Sequence, residues 1–467
     1  MFFTKLSNYL NINILCVFIF WISCIIVVPA QVLLTVENTQ KIPDHTDSDY
    51  EPLMIYIPVS GIPNKINQQF GLEKVIVTIK HPFISDIKMD LISPDSTNVW
   101  ISNRNGRDGK DYLNAEFSQT GFNGLISRAA PPFEGEYVPD GLFENFNNGQ
   151  NPNGIWTLRI QDLKKEDVGT FEKVTLVFSE NPAKEHFTQC TAKTPQGCAC
   201  PENKTKCELL PDITVLKQST ANNMWEHPFD PVKGYGMLQF EVSTVNIGSG
   251  PLEIVGRGAW YCGKDTVKSS TDKCPDSTYP RQIIKQNIYK LENGVISMRQ
   301  RPAGKIAFDN KPGHNHFHAD DYAHYHLLEK IEGKSDPHDW KVVGEAEKAS
   351  FCAWDMQFCS SRLNNCQDGK GGFLNERNML NYGAGGYKTC DDPDRQGISV
   401  GGIDWYGLNY DGQMIRIPPN TYDGLYYLMI EIDPYHRFEE SNIENNTILI
   451  PVHLKMQKER AKSKKGK

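Results

Sequence analysis

Five of the twelve histidines in this 467-residue sequence fall in one stretch, Pro312-Gly-His314-Asn-His316-Phe-His318-Ala-Asp320-Asp321-Tyr-Ala-His324-Tyr-His326-Leu-Leu328. Successive side chains of an extended strand point to opposite faces, so His314, His316 and His318 are expected as a row of imidazoles on one face. Imidazole nitrogen suits zinc, copper, iron and nickel, whereas calcium and magnesium take oxygen; three histidines in register therefore predict a metal site and narrow the ion without naming it. Ala319-Asp320-Asp321 is expected to interrupt the strand, which leaves His324 and His326 in supporting or structural roles.

The elements that must hold such a site are short strands. Leu238-Gln-Phe-Glu-Val242, Leu252-Glu-Ile-Val255, Ile283-Ile284, Trp340-Lys-Val-Val343 and Leu425-Tyr-Tyr-Leu-Met-Ile-Glu-Ile432 surround the histidines in sequence. Upstream, Val75-Ile-Val-Thr-Ile79, Ile87-Lys-Met-Asp-Leu-Ile92, Trp156-Thr-Leu-Arg-Ile160 and Val174-Thr-Leu-Val-Phe178 are separated by Gly, Pro, Asn and Asp. Runs of this length between turn residues predict an all-β chain, its first part a β-sandwich or jelly roll, with no long helix.

The histidine stretch resembles the copper-binding segment of the lysyl oxidase family, in which His-x-His-x-His precedes an acidic pair, an aromatic residue and a His-Tyr-x-Leu-Leu ending. Lys348-Ala-Ser-Phe351-Cys352 resembles the segment that carries the lysine of that family's quinone cofactor. Gln396-Gly-Ile-Ser-Val-Gly401-Gly-Ile-Asp404-Trp-Tyr406-Gly407 resembles the one that carries its tyrosine, and Glu440-Ser-Asn442-Ile-Glu-Asn445-Asn446 the family's closing segment. The resemblance implies a β-sandwich-like domain with long loops and disulfides, copper on His314, His316 and His318, and a lysine tyrosylquinone joining Lys348 to Tyr406. It implies a protein-lysine 6-oxidase-like enzyme that turns primary amines, peptidyl lysine among them, into aldehydes with release of ammonia and hydrogen peroxide. Asp404 and His324 compete for the role of general base. Gly313 and Gly402 stand where animal members of the family carry cysteines, so that family's disulfide set does not transfer.

The upstream strands carry a second resemblance, to the P domain of subtilisin-like proprotein convertases. It rests on His81-Pro-Phe-Ile-Ser-Asp86-Ile-Lys-Met-Asp90-Leu-Ile-Ser93-Pro94, on Pro132-Phe133-Glu-Gly135-Glu-Tyr137-Val-Pro139 and on Asn153-Gly154-Ile-Trp156-Thr-Leu158-Arg-Ile160-Gln-Asp162. With only an expected leader and linker ahead of it, the module is expected to aid folding or to bind an unknown partner rather than to serve a protease. Asp86, Asp90 and Asp162 could offer oxygen ligands to calcium, or simply cap turns.

Residues 1–30 combine Lys5, an apolar run and Val28-Pro29-Ala30, which predicts a signal peptide with the mature start near Gln31; a signal anchor is the competing reading. Residues 31–50 read as a linker, 51–180 as the P domain, 181–207 as a cysteine-rich connector, 208–453 as the catalytic domain, able to fold and form its site alone, and 454–467 as a solvated basic tail. No later run is apolar enough to span a bilayer, so a secreted, extracellular protein is expected. Cys16 and Cys24 leave with the signal, and the remaining ten suit an oxidising compartment. Cys352–Cys359, Cys366–Cys390 and Cys262–Cys274 are expected pairs, and Cys190, Cys198, Cys200 and Cys207 leave three connectivities open. Sequons at Asn203 and Asn445 predict glycosylation. A net charge of −8 argues against a nucleic-acid partner. The reading is thus a secreted copper amine oxidase using O2. Its alternatives are a non-catalytic metal-binding structural or binding protein, and a hydrolase with a three-histidine zinc site.

Overall fold

The computed structural model describes residues 31–45, 51–184, 190–191, 193–256, 258–311, 314–346 and 350–458. The expected signal peptide, Lys348, Gly313 and most of the basic tail lie outside the described residues. The longest helix among those described, Lys217–Asn222, has six residues, and nearly all other regular structure is strand. No described helix is long and apolar enough to cross a membrane.

The first unit is a two-sheet sandwich. One sheet has the order β1 (Val32–Lys41), β9 (Thr170–Ser179), β3 (Gly71–Lys80), β6 (Tyr112–Ser118) and β7 (Glu136–Tyr137). The other runs β2 (Leu53–Val59), β8 (Gly154–Asp162), β4 (Ile87–Ile92) and β5 (Asn98–Asn103). Alternation explains the pairing: Val75, Val77 and Ile79 of β3 face inward toward Ile87, Met89 and Leu91 of β4 and Trp156, Leu158 and Ile160 of β8, all buried in one cluster.

The expected linker is corrected here, because its first half is β1, paired antiparallel with β9 from Val32 opposite Phe178 onward. Val32, Leu34 and Val36 pack against the sandwich core while Leu33 stays exposed. That half-buried alternation marks an edge strand, and the polar residues that follow it obscured the pattern.

The second unit stacks several small sheets around one large core. A long hairpin, Arg281–Glu292 with Val295–Asp309, leads into the histidine strand His316–Ala319, which pairs along Val295–Asp309. A second sheet sets Gly402–Tyr406, the tyrosine strand, between Val242–Asn246 and Gln357–Phe358. The expected strand Leu238–Val242 is in fact broken at Glu241, which ends Tyr235–Phe240 and precedes Val242–Asn246.

Five disulfides close the chain locally: Cys190–Cys198, Cys200–Cys207, Cys262–Cys274, Cys352–Cys390 and Cys359–Cys366. The expected Cys352–Cys359 and Cys366–Cys390 pairs are corrected, since Gln357–Phe358 enters the sheet between the first two and carries Cys359 away from Cys352. The connector is no free tether either. Lys206–Leu209 joins the sheet of Arg281–Glu292, and Cys190 and Cys200 pack with Leu209 and Leu291.

The two units meet across the outer face of the β2-β8-β4-β5 sheet. Lys88 and Asp90 point to that outer face, opposite the inward Ile87, Met89 and Leu91, yet they are 2% and 0% exposed. In a lone sandwich this face would meet water; here the second unit covers it. Arg128 pairs with Glu241, the Arg362 guanidinium donates to the carbonyls of Gln119 (3.2 Å) and Thr120 (2.9 Å), and Asn409 donates to the Arg104 carbonyl at 2.9 Å.

Candidate metal and tyrosine site

His316 and His318 lie on one strand face as alternation requires, but His314 precedes the strand. Asn315 takes a left-handed backbone, φ 56°, and that turn swings His314 back toward the other two. Asn is among the few side chains that adopt this conformation readily. The outcome is convergence: one ligand atom from each imidazole lies within 4.8 Å of the others. Among the described residues no other set of three or more His, Cys, Asp or Glu side chains converges in this way. Three ring nitrogens at this spacing suit one copper or zinc ion.

Asp309, on the strand paired with the histidines, places Oδ2 3.3 Å from His318 Nδ1 and 3.8 Å from His314 Nδ1. Burial works against its charge, but the hydrogen bond and charge of His318, with that of His314, hold its carboxyl well below the usual range. A carboxylate behind a ligand imidazole fixes ring orientation and tautomer. On the far side, Asp411 Oδ2 lies 3.5 Å from His314 Nε2.

Tyr406 ends the tyrosine strand and lines a cavity of about 30 Å3 together with His314, His316, His318, Trp354 and Tyr410. Its hydroxyl donates to the Cys352 carbonyl, and Phe351 packs edge-on against its ring at 4.6 Å. Asp404, two residues back, is fully buried, and its carboxylate has no well-aligned hydrogen-bond donor, the nearby Tyr406 hydroxyl being turned toward the Cys352 carbonyl. Burial pushes that carboxyl well above the usual range despite the Tyr406 hydroxyl. Burial and then the Asp404 charge push the Tyr406 hydroxyl up in turn. A fully buried carboxylate without a well-placed donor is costly for the fold alone, which marks Asp404 as a functional-site candidate.

His324 falls elsewhere. On Ala323–Glu329 it alternates with Tyr325, whose ring packs into the core against Phe240 and Phe351, so His324 turns outward to Tyr435 at 5.5 Å and to His326. The triad cavity is not lined by it. Neither expected base lines that cavity, but Asp404 shares the strand face of Tyr406 and interacts with its hydroxyl, whereas His324 does not.

Residues 267–463 match the family model for lysyl oxidase, and residues 73–178 match that for the proprotein convertase P-domain. This chain joins a P-domain to a lysyl oxidase domain. No curated protein matches it. The lysyl oxidase match begins at residue 267, yet Ile213 and Val245 lie in the same core as Tyr406, and Val242 sits opposite Tyr406 in the sheet. The packed unit therefore extends well upstream of the matched residues.

Gly402 stands where the resemblance implies a cysteine in animal members of the family. A Cβ there would lie 2.2 Å from an Asp355 carboxylate oxygen. Asp355 is buried and accepts from the Ser399 backbone (2.8 Å), the Ser399 hydroxyl (2.6 Å) and the Tyr387 backbone (2.9 Å), bracing the tyrosine segment by hydrogen bonds. The P-domain acids have partners of their own: Asp90 with Arg159 at 2.9 Å, Asp162 with His81 at 3.1 Å, Asp86 with Lys164 at 3.4 Å. Each acid thus has a basic partner, and the three do not converge as a metal site among the described residues. Of the two sequons, Asn203 is exposed, whereas the side-chain nitrogen of Asn445, where a glycan would attach, donates to Asp212 at 2.7 Å.

Sequence reasoning missed Trp100, Arg104, Asp309, Trp354 and Tyr410 as members of the site. Asp309 carried a faint signal, seven residues before His316 on the preceding strand. Trp100 and Arg104 carried none, because they belong to the P-domain and reach the site only through docking.

Proposed function

We propose that this protein is a copper-dependent amine oxidase of lysyl oxidase type, acting on primary amines such as peptidyl lysine. The observation that carries the reading is the convergence of three imidazoles on a cavity that also contains Tyr406, with the buried Asp404 carboxylate beside that tyrosine. His314, His316 and His318 would hold the copper, with Asp309 orienting His318 and His314. Lys348 and Tyr406 are the residues that would build the quinone; Phe351, three residues from Lys348 in sequence, packs on the Tyr406 ring. Together, bound copper and quinone supply the two-electron acceptor for amine oxidation that no ordinary side chain provides.

The remaining steps belong to the chain's own groups. Phe351, Trp354 and Tyr410 enclose Tyr406 and keep bulk water from it. The Cys352 carbonyl fixes the direction of the Tyr406 hydroxyl. An Asp404 oxygen takes a proton from the carbon bearing the amine, and burial, by raising its pKa, makes that carboxylate a stronger base. Amine, O2 and water thereby yield aldehyde, ammonia and hydrogen peroxide.

Five disulfides support an extracellular setting for this activity, with the signal peptide removed near Gln31. The deciding experiment assays peroxide release by the secreted, copper-loaded protein across small amines and lysine-rich proteins, beside phenylhydrazine labelling. Peroxide release that phenylhydrazine abolishes is the expected result. A protein that binds copper but neither takes up phenylhydrazine nor releases peroxide is the non-catalytic alternative.

A further inference from the structure

The outer face of β4 is buried, and parts of β5 and β8 are half-buried beside it, because this side of the sheet roofs the histidine cluster. Beneath that roof lies a polar cavity of about 260 Å3, lined from the P-domain by Lys88, Trp100 and Arg159 and from the lysyl oxidase domain by His316, Trp354 and Asp391. It adjoins the smaller cavity at Tyr406, and both share Trp100, His314, His316, Trp354 and Cys390 as a common wall. Trp100 lies in that wall, its ring 4.9 Å from Trp354 edge to face and 6.3 Å from His316. From the roof side the Lys88 ammonium rests 4.2 Å over the same ring, a cation–π contact that holds it against Trp354.

We propose that the P-domain supplies the selectivity wall of the oxidase site: an amine reaches Tyr406 through the interdomain cavity and past Trp100, which passes unbranched alkylamines readily and slows branched or aryl ones. The inference rests on the oxidase reading above. Its physical basis is space. The inner cavity holds roughly one water's volume, so a slender chain end can displace its contents directly, while an aromatic ring enters only when Trp100 moves aside and is therefore slowed. The roof is also the only part of the wall that comes from outside the lysyl oxidase domain, which gives the fused P-domain a role in choosing the substrate.

Two hydrazines test this, because both react with a quinone carbonyl and their intrinsic difference in reactivity cancels when wild type and variant are compared, leaving the effect of breadth. Trp100→Ala should speed labelling by phenylhydrazine about tenfold while leaving methylhydrazine within about twofold of wild type. Lys88→Met, which keeps the methylene packing and removes the charge, should shift the ratio the same way by less, and serves if Trp100→Ala fails to fold. An unchanged ratio of the two rates overturns the inference, as does an equal change in both, which a merely structural role gives. Absence of labelling by either hydrazine in wild type overturns the oxidase reading itself, and this inference with it. A second readout needs no turnover: Cu2+ titrated into the metal-free protein should quench tryptophan fluorescence, and Trp100→Phe should lose part of that quenching at unchanged stoichiometry. Undiminished quenching in Trp100→Phe removes Trp100 from the wall.

Discussion

His316 and His318 reach the common point from one strand face and His314 from the left-handed turn at Asn315, so their losses should be alike in metal and unlike in fold. His316→Ala removes a ligand from the buried strand and should abolish both copper retention and peroxide release; full copper occupancy in that variant, by elemental analysis, would refute the assignment. Lys348→Ala should keep copper, since three imidazoles and water can fill the shell, while losing phenylhydrazine uptake. Tyr406→Phe should lose that uptake as well, because a ring without its hydroxyl cannot be oxidised to a quinone. In the active protein, a digest should yield the Lys348 and Tyr406 peptides covalently joined, and their recovery as separate unmodified peptides would exclude the cofactor.

The elements that carry these residues are tied at two points. Cys352–Cys390 is one: the Cys352 carbonyl receives the Tyr406 hydroxyl, and the Cys390 carbonyl accepts from the Phe317 backbone at 3.1 Å, between His316 and His318. Replacing both cysteines with alanine should cost about 2–4 kcal/mol in urea unfolding and should weaken copper binding as well, since the bond links the metal strand to the tyrosine. The closing segment is the other. Glu440 accepts from the Ile213 backbone at 2.6 Å and from Asn446 at 2.8 Å, clamping the beginning of the domain to its end. Burial pushes its carboxyl up to about 8. The unfolded group ionises near the ordinary glutamate value of about 4.3. Between there and pH 8 the folded state holds the extra proton, so this group makes stability fall as pH rises, at most by about 1.4 kcal/mol per unit. Glu440→Gln should flatten that slope, which urea midpoints at pH 5 and pH 8 will reveal; parallel slopes in both proteins would contradict it.

At the scale of the molecule, the P-domain and the lysyl oxidase domain share a buried, charged seam. The Glu241 side chain is almost fully buried against Arg128, and the hydroxyls of Ser219 and Ser243 donate to its other oxygen. Arg128→Ala leaves that carboxylate without its counter-charge and should cost about 2 kcal/mol, less than for a fully buried pair because Arg128 keeps contact with water. Calorimetry should show one cooperative transition in wild type and a separation of the two units in the variant. The same seam bears on residues 208–453 alone. Stripped of their roof, Trp354 and His316 meet water, so the truncated domain should lose the selectivity between slender and broad hydrazines even where it still binds copper.

The sequence by itself determined what is local. Period-two alternation placed Ile87–Ile92 and Leu252–Val255 as strands, because side-chain direction is set residue by residue along the chain. Ligand chemistry and spacing marked His314, His316 and His318, and motif resemblance found Tyr406 and Asp404. Tertiary structure decided what depends on distant partners. Val32–Lys41 is a strand only because Thr170–Ser179 offers it an edge, and the pairing of Cys352 with Cys390 follows from where Gln357–Phe358 enters the sheet. His324 was separated from the site by the face on which Tyr325 had to pack. Trp100 joined the site because the outer face of one domain's sheet is buried by the other. No local pattern encodes that docking: a tryptophan on a sheet's solvent side looks the same in sequence whether water or a metal site lies beyond it.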